Sequence, residues 1–378
     1  MPLEHLDMTP KNNMAKDFLL DENSFLEKYK DIRESVAVFY RLNSVIKPLN
    51  QILFGAENLL YRNKLSMPIK KPIFILGNFR SGTTFLEQLI TKYFDLGHFT
   101  YLSQVFPIAP IFPNKLIRYF PKLSRPMFFP HKPNTKMQYN WPFECEAIWQ
   151  YCRKGMNAET NSHILDANFS DPKFENILMK SINSHLLQQK KTRFINKNPL
   201  CTLRIGYLKK IFPDSLFIYI VRNPFSVLQS QIDMQNIVGR TFSGMTHFKR
   251  VFSDQFYPPR TFFKTSAYTE IQEAYRHEKK LGIAKSIVDF DQEFDRQVAY
   301  AGLSNSVLKI KYEDLIKDVQ ESLSEICLFL DLEGERKACD AEPGSLINKN
   351  LLSHSISLNE KNAKLYEIFE PFIEKYSY

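Results

Sequence analysis

Apolar residues along this chain fall into two kinds of pattern. Ile73-Phe74-Ile75-Leu76 is an unbroken apolar run ending at Gly77, and Leu216-Phe217-Ile218-Tyr219-Ile220-Val221 is another ending at Arg222. Short runs without polar alternation read as strands covered on both faces, the habit of a parallel sheet. Elsewhere apolar positions recur at helical spacing: Phe85, Leu86, Leu89 and Ile90 after the first run, Phe18 to Ile46 within residues 15–66, and Val319 to Leu330 late in the chain. Strand, loop and helix in that sequence predict an α/β fold whose central, mainly parallel sheet is flanked by helices on both faces. An N-terminal helical lead-in is expected over 1–69, and the α/β domain over 70–378.

Two stretches break the pattern. Residues 106–143 hold Pro107, Pro110, Pro113, Pro121, Pro126, Pro130, Pro133 and Pro142 among Phe106, Phe112, Phe120, Phe128, Phe129 and Trp141, which excludes one long helix. An insertion of this kind between core elements is a candidate pocket wall or lid. Residues 238–269, rich in Phe and Tyr and carrying Arg240, His247, Lys249, Arg250, Arg260 and Lys264, either close over a ligand or fold upon themselves. The segment 351–378 reads as helical.

The chemistry concentrates at the ends of the two apolar runs. After the first comes Gly77-Asn78-Phe79-Arg80-Ser81-Gly82-Thr83-Thr84, with its glycines at Walker A spacing and Thr83 where a nucleotide triphosphatase needs lysine. Glycines allow the tight path, so N–H groups of Ser81, Gly82, Thr83 and Thr84 can converge on an anion at the helix N-terminus, with Arg80 adding a fixed charge. The reading is P-loop-like without being an ATPase loop. The second run leads into Arg222-Asn223-Pro224-Phe225-Ser226, where Asn223 is a candidate N-cap and Pro224 a first-turn residue, placing Arg222 at a second anion site.

These two motifs resemble those of sulfotransferases that use 3′-phosphoadenosine 5′-phosphosulfate (PAPS), in the bacterial branch with Arg-Ser-Gly-Thr-Thr in the 5′-phosphosulfate loop. The resemblance implies that Arg80, Ser81, Gly82, Thr83 and Thr84 hold the 5′ end of the donor, and that Arg222 with Ser230 holds its 3′-phosphate. Asn196-Lys197-Asn198-Pro199 looks like the family's Lys-x-Pro strand end, and Tyr312-Glu313-Asp314-Leu315 like its late strand and helix, which reads as structural. The likeness runs from about residue 70 to 335. It implies an enzyme moving a sulfuryl group to a hydroxyl or amine, with PAPS as cosubstrate and no required metal.

Composition changes this picture only modestly. The chain has 378 residues, 44% of them hydrophobic, and 50 basic against 41 acidic residues give +9, which suits anionic ligands or an acidic surface. The basic residues are dispersed and no nucleic-acid-binding motif occurs, so no nucleic-acid partner is expected. Cys145, Cys152, Cys201, Cys327 and Cys339 include no C-x-x-C pair, and the eight histidines show no ligand spacing; neither a disulfide framework nor a metal site is expected. No signal core or membrane-spanning stretch stands out, so the expected location is cytoplasmic. The expected acceptor is a small molecule, a lipid or a glycan, with contact to a membrane surface left open, as is the oligomeric state.

Charge logic assigns Arg80 to stabilising the leaving phosphate electrostatically, since guanidinium keeps its proton. The base that takes the acceptor proton is less determined. Glu144 leads, with Glu146 its neighbour two residues on, and His98 is the alternative because imidazole titrates near neutrality. Tyrosylprotein-type enzymes place Glu about twenty residues beyond the loop arginine, where this chain has Tyr101-Leu102-Ser103, which argues against protein tyrosine as acceptor. The competing classes are a P-loop kinase or NTPase, which would turn over ATP with a metal, and a noncatalytic nucleotide-binding module.

Overall fold

The computed structural model describes residues 24, 30–117, 119, 139–152, 164–241, 279–336 and 363–378. The elements run α1 (Lys30–Leu60), α2 (Arg62–Leu65), β1 (Ile73–Gly77), α3 (Thr83–Tyr93), β2 (Gly97–His98), α4 (Ile111–Ile117), α5 (Pro172–Gln189) and β3 (Phe194–Lys197). Then follow α6 (Ile205–Ile211), β4 (Leu216–Val221), α7 (Pro224–Thr241), α8 (Lys279–Tyr300), β5 (Val307–Lys311), α9 (Tyr312–Lys317), α10 (Val319–Leu330) and α11 (Ala363–Tyr376). Within the proline-rich insertion only α4 and the flanking coil are described. Most of 238–269, the segment 351–362 and Cys339 lie outside the described residues.

All five strands form one parallel sheet in the order β2-β3-β1-β4-β5. The unbroken apolar runs are explained by alternation of side chains across two covered faces. Phe74, Leu76, Phe217, Tyr219 and Val221 enter one core with residues of α5, α6, α8 and α11, such as Phe174, Tyr207, Phe294 and Phe369. Ile73, Ile75, Ile218 and Ile220 enter the other with Leu86, Leu89 and Ile90 of α3 and Ile326 and Leu330 of α10. The α/β expectation is therefore realised, with helices on both faces.

The strand order reverses direction around β1, whose sequence-distant partners β3 and β4 flank it. In open parallel sheets ligands bind at the carboxyl ends of strands at such a switch point. Register places the two anion motifs there together: Gly77 pairs with Ile220, so Arg222 emerges just beyond the level at which the loop begins.

Candidate functional site

The loop after β1 is shaped by backbone demands. Gly77 has φ +146°, and a Cβ there would lie 2.5 Å from the Ile220 carbonyl oxygen, so sheet pairing itself requires glycine. Arg80 (φ 71°) and Gly82 (φ 102°) are both left-handed, a conformation that costs a side-chain-bearing residue energy and that is often retained where a ligand cradle needs it. The Ser81 hydroxyl donates to the Asn78 carbonyl at 2.7 Å and the Gly77 N–H donates to Thr202 Oγ1 at 3.0 Å, fixing the loop from within and from the turn after β3. The Leu86 N–H reaches back to the Gly82 carbonyl at 3.1 Å; the first N–H groups of α3 precede that bond and have no carbonyl partner within the helix, an arrangement that favours anions at helix starts.

The second motif is joined to the first by direct contacts. Arg80 Nε donates to Ser230 Oγ at 2.9 Å, and Arg222 Nη1 donates to the Arg80 carbonyl at 3.3 Å. Asn223 caps α7 as its sequence implies, its Oδ1 accepting from the N–H groups of Phe225 (3.1 Å) and Ser226 (3.3 Å). Arg80, remote in sequence from Arg222 and Ser230, thus forms with them one partly buried cluster beside Asn78 and Ser81.

Two residues read from sequence as structural belong to this cluster. The Tyr312 ring lies under both motifs: the Arg222 guanidinium sits 4.5 Å from its centroid, and a Cβ on Gly82 would come within 2.4 Å of its ring carbons. Burial pushes the Tyr312 hydroxyl up from its ordinary range, against the pull of Arg222, so it stays protonated. Glu313 accepts the Asn223 N–H at 3.0 Å and the Tyr378 hydroxyl at 2.8 Å. The contact could not be read beforehand, because Tyr312 opens α9, just after β5 and far from the loop in sequence.

The carboxylates gather one strand away. Glu144 forms an ion pair with Lys197, the last residue of β3, whose side chain is only 4% exposed against 35% for Glu144. Glu146 accepts two hydrogen bonds from Arg204 (2.7 and 3.0 Å) and one from Asn198 Nδ2 (2.6 Å). Arg204 is fully buried and its guanidinium lies 4.0 Å from the Trp149 centroid, so Glu146 neutralises a cation in the core. Beneath them, Glu87 of α3 accepts the Lys197 N–H at 3.0 Å. Burial pushes the Glu87 carboxyl up to about 8, partly offset by Lys197, so it is mostly neutral at pH 7.

His98 stands elsewhere. It pairs in register with Ile195, which itself pairs with Ile73, so it is level with the start of β1 while the loop begins beyond the far end. Its Nε2 lies 3.3 Å from the Asn140 carbonyl and its main chain exchanges hydrogen bonds with Gln189 (3.1 and 2.6 Å). Among the described residues no group of three or more His, Cys, Asp or Glu side chains could hold a metal, and the buried Cys145, Cys152, Cys201 and Cys327 form no disulfide.

Comparison with known proteins finds similar sequences and similar folds. The chain is 27% identical over 261 residues to omega-hydroxy-beta-dihydromenaquinone-9 sulfotransferases of Mycobacterium bovis and Mycobacterium tuberculosis, a match covering 60% of this chain and 62% of those relatives' length. Its fold is similar to that of a sulfotransferase crystal structure from Mycobacterium tuberculosis (TM-score 0.51, 16% identity, covering 97% of this chain and 98% of the other). A second, from Mycobacterium avium, aligns with TM-score 0.50 and 14% identity over 85% of this chain and 81% of its own. The sulfotransferase family model matches residues 72–336, from β1 through the end of the sheet and α10, and on that match the chain belongs to the sulfotransferase family.

Proposed function

We propose that this protein transfers a sulfuryl group from PAPS to the hydroxyl of an apolar, lipid-like acceptor. The observation that carries the reading is the junction of two anion motifs at the ends of adjacent strands, with Arg80 bonded to Ser230 and Arg222 bonded to the Arg80 carbonyl. A single triphosphate loop would leave Arg222 and Ser230 unexplained. A nucleotide with phosphates on both its 5′ and 3′ positions engages both motifs.

When bound, the donor supplies an activated sulfuryl group, whose S–O bond to the 5′-phosphate breaks as the acceptor oxygen takes its place. The loop N–H groups, the start of α3 and Arg80 then offset the charge gathering on the phosphate. Arg222 and Ser230 hold the 3′-phosphate and set the donor's register. Glu144, partly exposed at the end of β3, takes the acceptor proton, with Lys197 keeping the carboxylate in place before transfer. Glu146 and His98 have weaker support, since both Glu146 oxygens are engaged by Arg204 and His98 lies level with the start of β1. The apolar acceptor rests on the aromatic insertion and on relatives named for an omega-hydroxy dihydromenaquinone.

Calorimetry with 3′-phosphoadenosine 5′-phosphate, against ADP and ATP with and without magnesium, tests the donor. Metal-independent binding that requires the 3′-phosphate and is lost in Arg222→Ala supports it; preference for ATP with magnesium overturns it. Sulfur-35 transfer from PAPS to a panel of long-chain alcohols, sugars and phenols tests the acceptor class, with transfer confined to sugars or phenols overturning the lipid reading.

A further inference from the structure

The stretch from Val45 to Met67 departs from the rest of the described surface. Val45, Leu49, Ile52, Leu59, Leu60 and Met67 are 62%, 39%, 68%, 82%, 64% and 60% exposed. Val45, Leu49, Ile52 and Leu59 stand four, three and seven residues apart, so they form one stripe along the outer face of α1. The other exposed large apolar residues are either on or beside α4, which contacts α1, or scattered singly. Isolated cases need no explanation, whereas a concentrated stripe does.

Charge on the same segment selects the occupant. Lys47, Arg62, Lys64 and Lys70 are exposed, while Glu57, the one acidic residue between 45 and 71, is fully buried and accepts the Phe112 N–H at 2.9 Å. Two copies meeting through this segment would bring Arg62, Lys64 and Lys70 together with no exposed carboxylate of the segment to answer them. An anionic bilayer answers each one and receives the apolar stripe. No described helix is long and apolar enough to cross a membrane, so such a helix would lie on the surface.

We propose that α1 and the turn after it dock this protein on an anionic membrane surface. The segment leading into the proline-rich insertion is fastened to the buried side of α1 and to the turn after it. Asn50 Nδ2 donates to the Val105 carbonyl at 3.1 Å, and Lys115 Nζ donates to the Tyr61 hydroxyl at 3.2 Å. Docking therefore holds the start of that insertion behind α1, close to the bilayer. The inference stands on the surface alone and does not depend on the donor or acceptor reading.

The test is co-sedimentation of the full chain with phosphatidylcholine vesicles, with and without phosphatidylglycerol, alongside analytical ultracentrifugation without lipid. The expected result is binding that requires the anionic lipid and weakens with salt, and that falls by about tenfold or more in Ile52→Glu/Leu59→Glu. Both positions are exposed, so the variant should keep the wild-type melting temperature, which shows that it is folded. Absence of vesicle binding, equal binding by the variant, or a lipid-free dimer that the variant dissociates would overturn the proposal, the last by assigning the face to a second copy.

Discussion

The ends of β1 and β4 and the end of β3 are neighbours in one sheet, yet they are held in different ways. At β1 and β4 the backbone decides: Gly77 is crowded by a carbonyl, Gly82 by the Tyr312 ring, and Arg80 is held left-handed between them. At β3 side chains decide, through the Glu144–Lys197 pair, the Glu146–Arg204 pair and the buried Glu87. Backbone-determined loops tolerate few residue types. Regions built from charged pairs can be retuned by exchanging one member.

The strongest test of this contrast is Arg80→Ala, expected to lower turnover by about 10²- to 10³-fold in a sulfur-35 transfer assay; unchanged turnover would remove Arg80 from the chemistry. On the other side, Glu144→Gln should cost about 10²-fold in kcat with donor affinity preserved. Glu146→Gln should instead lower the melting temperature by leaving Arg204 buried without its counter-charge. If the two variants exchange these phenotypes, Glu146 is the base and Glu144 the structural member.

Glu87 gives a pH signature. Its carboxyl rises from an ordinary 4.5 to about 8 on folding, so the folded state holds a proton that the unfolded chain releases between those values. Its favourable contribution is complete below about pH 4.5 and lost as pH rises through about 8. Glu87→Gln should flatten the decline in denaturation free energy across that window, a difference on the order of 2 kcal/mol between its ends after local relaxation. An unchanged slope would mean the carboxyl is already ionised in the fold.

A smaller effect is expected at Tyr312. Tyr312→Leu removes the ring beneath Arg222 and should weaken 3′-phosphoadenosine 5′-phosphate by about tenfold, with less effect on 5′-AMP, while Tyr312→Phe keeps the affinity. Equal losses for both nucleotides would show that the ring supports the fold in general and not the 3′ contact.

The same contrast explains what could be read from the amino-acid sequence. Buried parallel strands demand continuous apolar runs and tight loops demand glycine, so β1, β4, the loop between Gly77 and Gly82, and the Asn223 cap are written locally. The pairing of Glu146 with Arg204 joins residues far apart in the chain, and neither one's neighbours announce the other. Tyr312 and Glu313 were legible as a strand-to-helix junction, but their contacts with Gly82, Arg222 and Asn223 exist only once β5 lies beside β4. The short edge strand β2 leaves too few residues for register to be judged, so the level of His98 against β1 could not be read from the chain.

The Gly77–Ile220 contact has a consequence for anyone redesigning this protein. Because the loop's first glycine is required by the neighbouring strand whatever the loop holds, a library built to change binding preference gains nothing by sampling it. Variation there would destroy the scaffold before it altered specificity. Arg222 itself lies beyond the last paired residue of β4, so its side chain can be exchanged with strand pairing intact.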